Sequence, residues 1–355
     1  GAKDEAASGR GRLVLALKGA AMLVFVLLLV RALAHEDWSG AAERLRSVGP
    51  AALLVMLPFP LAMLLDATAW GRIMATLGQR VPLSRLFPVR IATESLTTAL
   101  PAGGLAAEAI SPFLVAKGDR EVFTAALTSS ATKRWLIIRT HGYYVAGAAI
   151  LTFGILGAHS KSLLRHEGLP WVVLVCSVGL VALSLALQSA TTRLGLAARV
   201  HDGIARLRSS RFFARFAAHD LPRESFEKVD AELARLGKTM HPLPAALIFA
   251  TWVLESIETF IILGVLGVDV PFLTVVSFDA ALSIVRTVAV FAPSGVGPQD
   301  LGYLAFFEAY GLPSALGPAF LLMKRVNQLV WAVAGVALLF FFSRLKPEAR
   351  SLEPS

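Results

Sequence analysis

Apolar residues in this chain come in solid runs and not in alternation. LVFVLLLV (23–30) and VALLFFFS (336–343) carry no charge, and comparable stretches recur along the chain. A run of 18 or more such residues is long enough for a helix to cross a ~30 Å hydrocarbon layer. Lipid offers no partner to backbone N–H and C=O groups, so only helices and closed barrels span it. Barrel strands alternate apolar and polar residues, so solid runs predict helices. Six spans are expected, near 13–33, 50–70, 122–157, 170–189, 243–267 and 314–343. The third is too long for one perpendicular crossing and must tilt, kink or leave the bilayer.

Two further apolar segments, 86–116 and 273–310, are interrupted by Pro and Gly. Each half is too short to cross. Both are expected to be helix–break–helix hairpins that enter the membrane and return to their own side. The fold expected is an all-α integral membrane protein, one polytopic domain over 1–355, with about six spans and two re-entrant hairpins. Lys and Arg concentrate at the amino end, after the second span, in 190–242 and in the tail. Positive loops stay cytoplasmic, so both termini are expected there. Residues 190–242 hold ten Lys and Arg. Leu196, Val200, Ile204 and Phe212 recur there near helical spacing between arginines, which predicts a cytoplasmic basic amphipathic linker.

The interrupted segments resemble each other. ALPAGGLAAEAISPFLVAKG leads to ATKRW, and FAPSGVGPQDLGYLAFFEAYG leads to LLMKRV. Pro101 matches Pro293, Gly103 matches Gly295, Glu108 matches Asp300, and Lys133–Arg134 matches Lys324–Arg325. Repeats over 50–157 and 243–343 are therefore expected. With the topology above they run in opposite senses, as in transporters whose substrate sites lie at the midplane between interrupted helices.

Charge placement sharpens this picture. A charge at the bilayer centre costs about 2.5–3.5 kcal/mol even on the lenient scale. Yet Asp66, Glu94, Glu108, Lys133, Arg134, Arg139, Glu255, Glu258, Asp279, Arg286, Asp300, Lys324 and Arg325 fall in or near apolar segments. They must line an interior cavity or pair with one another. The hairpins carry acids and the following spans carry cations, in both repeats. Glu108 and Asp300 should thus share a cavity with Arg134 and Arg325. Arg forks and helix amino ends together suit an anionic headgroup. The candidate headgroup-binding residues are Gly103, Gly104, Lys133, Arg134, Arg139, Arg286, Gly295, Gly297, Gln299, Lys324 and Arg325. Glu108, His141, Glu255, Glu258 and Asp300 are candidates for coupling or gating. Glu255 and Glu258 share a helix face, and His141 is either a proton relay or a helix–helix hydrogen-bond donor.

Composition agrees. The 355 residues are 55% hydrophobic and 17% charged, where a soluble domain carries about a quarter charged. Mean hydropathy is +0.65. The net charge of +9 lies in loops between apolar runs, which argues against nucleic acid. Cys176 is the single cysteine, so no intrachain disulfide can form. No metal-ligand spacing, Walker loop, nucleophile elbow or dinucleotide fingerprint occurs, so neither metal nor cofactor is expected.

At these residues the chain resembles the lysylphosphatidylglycerol synthase transmembrane, or flippase-like, family. The carrying pattern is P-x-G-x-G-x-[QE]-[DE], an aromatic-rich helix, G-[LV]-P and a K-R pair, from Phe291 to Trp331. PAGGLAAEAISPFL (101–114) and KRWLIIRTHGYY (133–144) are more similar to its hopanoid-biosynthesis-associated branch. The resemblance implies a bacterial inner-membrane protein that moves lipid between leaflets or hands it onward. Its cargo would be an anionic headgroup lipid or a hopanoid, with lipid-synthesis enzymes as partners. A scaffold that recruits such enzymes without transport is the alternative. Two-domain members also carry an aminoacyl-transferase. Only 11 residues follow Arg344, so synthase activity is not expected.

Overall fold

A computed structural model describes residues 38–99, 103–194, 223–238, 241–288 and 298–344. Among these the regular elements are all helical. In chain order they are α1 (Trp38–Val48), the short α2 (Ala52–Val55), α3 (Pro58–Thr76), α4 (Leu83–Ala99) and α5 (Gly103–Ala116). Next come α6 (Arg120–Leu151), α7 (Phe153–Leu164), α8 (Leu169–Leu194) and α9 (Arg223–Leu236). The last four are α10 (Pro242–Val265), α11 (Phe272–Val288), α12 (Pro298–Ala309) and α13 (Gly317–Arg344). Four stretches are long and apolar enough to cross a membrane: Ser39–Thr76, Leu169–Leu194, Pro242–Val265 and Ser314–Phe342. A fifth is the bent pair α6–α7. The protein is a multi-pass helical membrane protein. The expected span at 13–33 lies outside the described residues, as do most of the linker and the second Pro-Gly break.

The long third segment turns sharply. α6 has 32 residues, about 48 Å of helix at 1.5 Å per residue. At Thr152 the chain bends by 93° into α7. The Thr152 hydroxyl bonds back to the Ala148 carbonyl at 2.7 Å, so it competes with the ladder where the helix breaks. The start of α6 is set by Asp119, whose carboxylate accepts from the N–H groups of Glu121 and Val122. Lys117 and Gly118, at φ +49° and +95°, are the left-handed residues that end α5 before that cap.

Both interrupted segments form two helices that pack on each other, α4 on α5 and α11 on α12. The elements recur with a near-constant offset: α3, α4, α5 and α6 correspond in order to α10, α11, α12 and α13. Packing is exchanged between the halves. The long α13 lies against α4, α6 lies against α11, and α3 packs directly on α10. The second half is glued by aromatics, with Phe278 touching Tyr303, Phe306, Phe307, Tyr310 and Phe320. The matching first-half core is largely aliphatic, built on Ala67, Trp70, Met74, Leu86, Val89 and Val115.

Small residues let these helices approach, as lipid-embedded interfaces require. A Cβ at Gly335 of α13 would lie 2.5 Å from the Ile91 carbonyl and 3.2 Å from that of Ala92 on α4. Gly335→Ala should therefore push α13 off α4 and destabilise the fold by about 1–3 kcal/mol. Thermal unfolding in detergent reads this, and an unchanged midpoint would mean the helices part freely.

The described parts of the 190–242 segment are its two ends. Its first residues extend α8 to Leu194, and its last third folds as α9. Phe226, Val229, Leu233 and Leu236 of α9 are buried, and the helix packs on α6 and α8. Its charges are mixed: Glu224, Glu227, Asp230 and Glu232 stand among Arg223, Lys228 and Arg235. The amphipathic pattern expected from the sequence lies before this helix, over 196–216. The basic stretch with Phe212, Phe213 and Phe216 lies outside the described residues.

Candidate functional site

Interior charges sort into pairs that repeat along the chain. Lys133 donates to Asp66 at 2.8 Å, and Arg134 to Glu108 at 3.3 Å. Lys324 donates to Glu258 at 3.2 Å, and both Nε and Nη2 of Arg325 reach one oxygen of Asp300. Each residue of the second set stands 191 or 192 positions after its counterpart. The lysines are more buried than the arginines: side chains of Lys133 and Lys324 are 9% and 8% exposed, against 30% and 26% for Arg134 and Arg325. Additional partners differ between the halves. Asp66 also accepts from Arg90 at 2.9 Å, and Arg90 from its other side reaches Glu94 at 2.6 Å. Glu258 instead accepts from Asn327 at 2.7 Å, and Arg286 pairs with Glu255 at 2.7 Å.

A cavity of about 270 Å³ opens among α3, α4, α6, α10, α12 and α13. Its polar lining is Asp66, Arg90, Thr251, Glu255, Glu258, Gln299, Asp300, Lys324, Arg325 and Gln328. Its apolar lining is Pro58, Phe59, Ala62, Met63, Ile137, Ile248, Leu254 and Leu321, from several of the same helices. Tyr303 and Trp252 complete it. Both charge signs are present and each cation already touches a carboxylate. A bare anion would have to displace an acid to reach an arginine, which the list of charges alone did not reveal.

The sequence candidates fall into three places. Gln299, Asp300, Lys324, Arg325, Glu255 and Glu258 line the cavity. Lys133 and Arg286 sit one contact behind it, holding Asp66 and Glu255. Glu108 and Arg134 do not share this lining, contrary to the expectation of one cavity for both repeats. Their pair closes instead between α5 and α6, where a Cβ at Gly104 would lie 3.9 Å from the Arg134 guanidinium. Gly103 has a packing role: its Cβ would come within 2.2 Å of the Leu96 carbonyl, so only glycine lets α5 start so close to α4. Arg139 lies elsewhere, bonded to Gln188 of α8, which in turn donates to the Gly237 carbonyl at 2.6 Å. The His141 Nε2 is 3.2 Å from the Ser283 hydroxyl, and its ring stacks on Trp252 at 4.0 Å. Gly295 and Gly297 lie outside the described residues.

Three residues in or beside the cavity lie outside the sequence candidates: Asp66 and Arg90, which line it, and Asp279. In the sequence Asp66 and Asp279 stand out only as charges in apolar segments. The repeat carried the signal for Asp66, because extending the register back through the second span aligns it with Glu258. Arg90 carried no comparable mark, since its role depends on which way α4 faces.

Residues 15–346 match the family model described as lysylphosphatidylglycerol synthase TM region. The chain belongs to that family. The match covers every described helix up to Arg344, so both sets of ion pairs are family territory. Membership places the protein among membrane regions associated with lipid. No curated protein matches the chain, and no solved structure does.

Proposed function

We propose that this protein moves a lipid between leaflets of the bacterial inner membrane. The observation that carries the reading is a cavity lined by both charged and apolar side chains. The charged residues can take a headgroup while the apolar ones follow the start of an acyl chain. A scaffold has no use for such a space. Arg325 and Lys324 face the headgroup, with Asp300 and Glu258 as the acids that yield to it. Glu108 and Arg134 form the equivalent set in the other half. They line the cavity when the two halves exchange roles, which is alternating access between inverted repeats. In this reading both interrupted segments are re-entrant, both termini are cytoplasmic, and the basic stretch of 190–242 lies on that side.

The apolar part of the lining also suits a largely apolar cargo such as a hopanoid. Native mass spectrometry of the purified protein separates these cargoes. A retained phospholipid supports the headgroup reading, a retained hopanoid replaces it, and a lipid-free protein speaks against both. Reconstitution with the retained lipid should then accelerate its movement between leaflets over protein-free vesicles.

Topology is open to a separate check. Gly118 and Gly311 both have positive φ, so cysteines belong at the neighbouring exposed Arg120 and Ser314. In a Cys176→Ser background, Arg120→Cys should label from the cytoplasm and Ser314→Cys from outside. Labelling of both from one face would remove the inverted repeat.

A further inference from the structure

We propose that Asp279 binds a proton in this state, and that releasing it shifts Arg286 and so couples proton movement to transport. The protonation stands on the arrangement of charges, whereas the coupling rests on the transport reading above. Among the described residues, the interior carboxylates Asp66, Glu94, Glu108, Glu255, Glu258 and Asp300 each lie within 3.3 Å of a Lys or Arg. Asp279 does not. Its nearest cation is Arg286 at 3.9 Å, and its side chain is only 3% exposed. Arg286 is already engaged, through Nη1 with Glu255 at 2.7 Å and through Nη2 with the Tyr303 hydroxyl at 3.1 Å. The trio of Glu255, Asp279 and Arg286 therefore carries one carboxylate too many. A buried unpaired charge is neutralised more readily than it is tolerated.

The hydrogen bonds leave room for that proton. Ser256 donates to Oδ2 of Asp279 at 2.6 Å, so Tyr144, 2.5 Å from the same hydroxyl, must donate to Ser256. Thr259 lies 3.4 Å from Oδ1 but is also 3.2 Å from the Glu255 carbonyl, which can take its single proton. Its lone pairs then accept from a protonated Oδ1, and every donor in the cluster has an acceptor. Other ionisable groups face Asp279 from each side. They are Tyr144 and, through Ser283, His141 on α6, Glu255 on α10, Tyr303 on α12, Tyr310 just after it, and Lys324 on α13. Of the two cations, Arg286 and Lys324, both hold another carboxylate.

Loss of the proton would give Asp279 a full charge that competes for Nη2 of Arg286. Glu255 and Tyr303, both in the cavity lining, would then lose their hold. At the 192-residue offset of the ion pairs, the first repeat has Phe87 in place of Asp279.

Infrared spectroscopy of the purified protein tests the protonation without any transport. A protonated-carboxyl band that disappears in Asp279→Asn is expected, and its absence from the wild type overturns the proposal. Ser256→Ala removes a hydrogen bond to the same carboxyl and should shift the band. That variant decides the assignment if Asp279→Asn does not fold, and an unmoved band overturns it. In vesicles, a pH gradient should accelerate lipid movement by the wild type and not by Asp279→Asn. A gradient response that survives in Asp279→Asn, or a response to sodium instead, overturns the coupling. A wild type that carries the band but moves no lipid refutes the transport reading and the coupling, and leaves the proton site standing.

Discussion

Lys324→Met is expected to destabilise the protein by about 3–5 kcal/mol, and adding Glu258→Gln should recover most of that loss. The single change strands a buried carboxylate whose side chain is 10% exposed, and breaking a buried pair is far worse than never having one. The ammonium also lies 5.4 Å above the Tyr303 ring and 5.8 Å from that of Phe320, contacts that the thioether only partly replaces. In the double variant the amide oxygen still accepts from Asn327, which now bonds Glu258 at 2.7 Å. Thermal unfolding of both variants in the same detergent reads the difference. The first repeat provides a control: Lys133→Met leaves Asp66 with Arg90 at 2.9 Å and should be milder. Equal losses at Lys133 and Lys324 would show that the second cation on Asp66 is irrelevant.

The double variant Arg325→Gln, Asp300→Asn should reduce lipid movement to the rate of protein-free vesicles while the protein stays folded. Removing Arg325 alone would confound the result, because Asp300 has a side chain only 5% exposed and would be left without its cation. Changing both leaves two amides that can bond to each other but cannot exchange partners with a charged headgroup. The matching pair gives a second arm. Arg134→Gln with Glu108→Gln should also abolish movement if the halves alternate, although these residues lie outside the cavity seen here. Full activity in that second variant would mean a fixed site served by one repeat. Full activity in the first would remove Arg325 and Asp300 from the mechanism.

The helical architecture was legible in the sequence because membrane spans are written as uninterrupted apolar runs. The bounds of α8, α10 and α13 fall within a few residues of the runs that announced them. The bend at Thr152 was legible only as excess length, since nothing in LTFG marks a right angle by itself. Pair identity was the hardest part. That Asp66 takes both Lys133 and Arg90 depends on the rotation of three helices about their axes, and one-dimensional spacing does not encode rotation between elements. The offset near 192 was the exception, because a duplicated half shows its partner the same contacts. Burial of the Lys133–Asp66 pair could thus be inferred from Lys324–Glu258, whereas the isolated position of Asp279, which has no counterpart, could not.

The exchanged packing has a consequence for biosynthesis. α4 meets its broad partner α13 only when residues near Gly335 have emerged from the ribosome, more than two hundred positions after Ala99. At about 5–20 residues per second this is a wait on the order of ten seconds or more. Throughout that interval the face of α4 that carries Ile91, Ala92 and Ser95 lacks its mate, beside a buried Glu94. Insertion of this protein should therefore be a late, all-at-once closure of two halves and not a helix-by-helix accretion. Fragments ending before α13 should be short-lived in the membrane, and supplying α13 as a separate chain should rescue them.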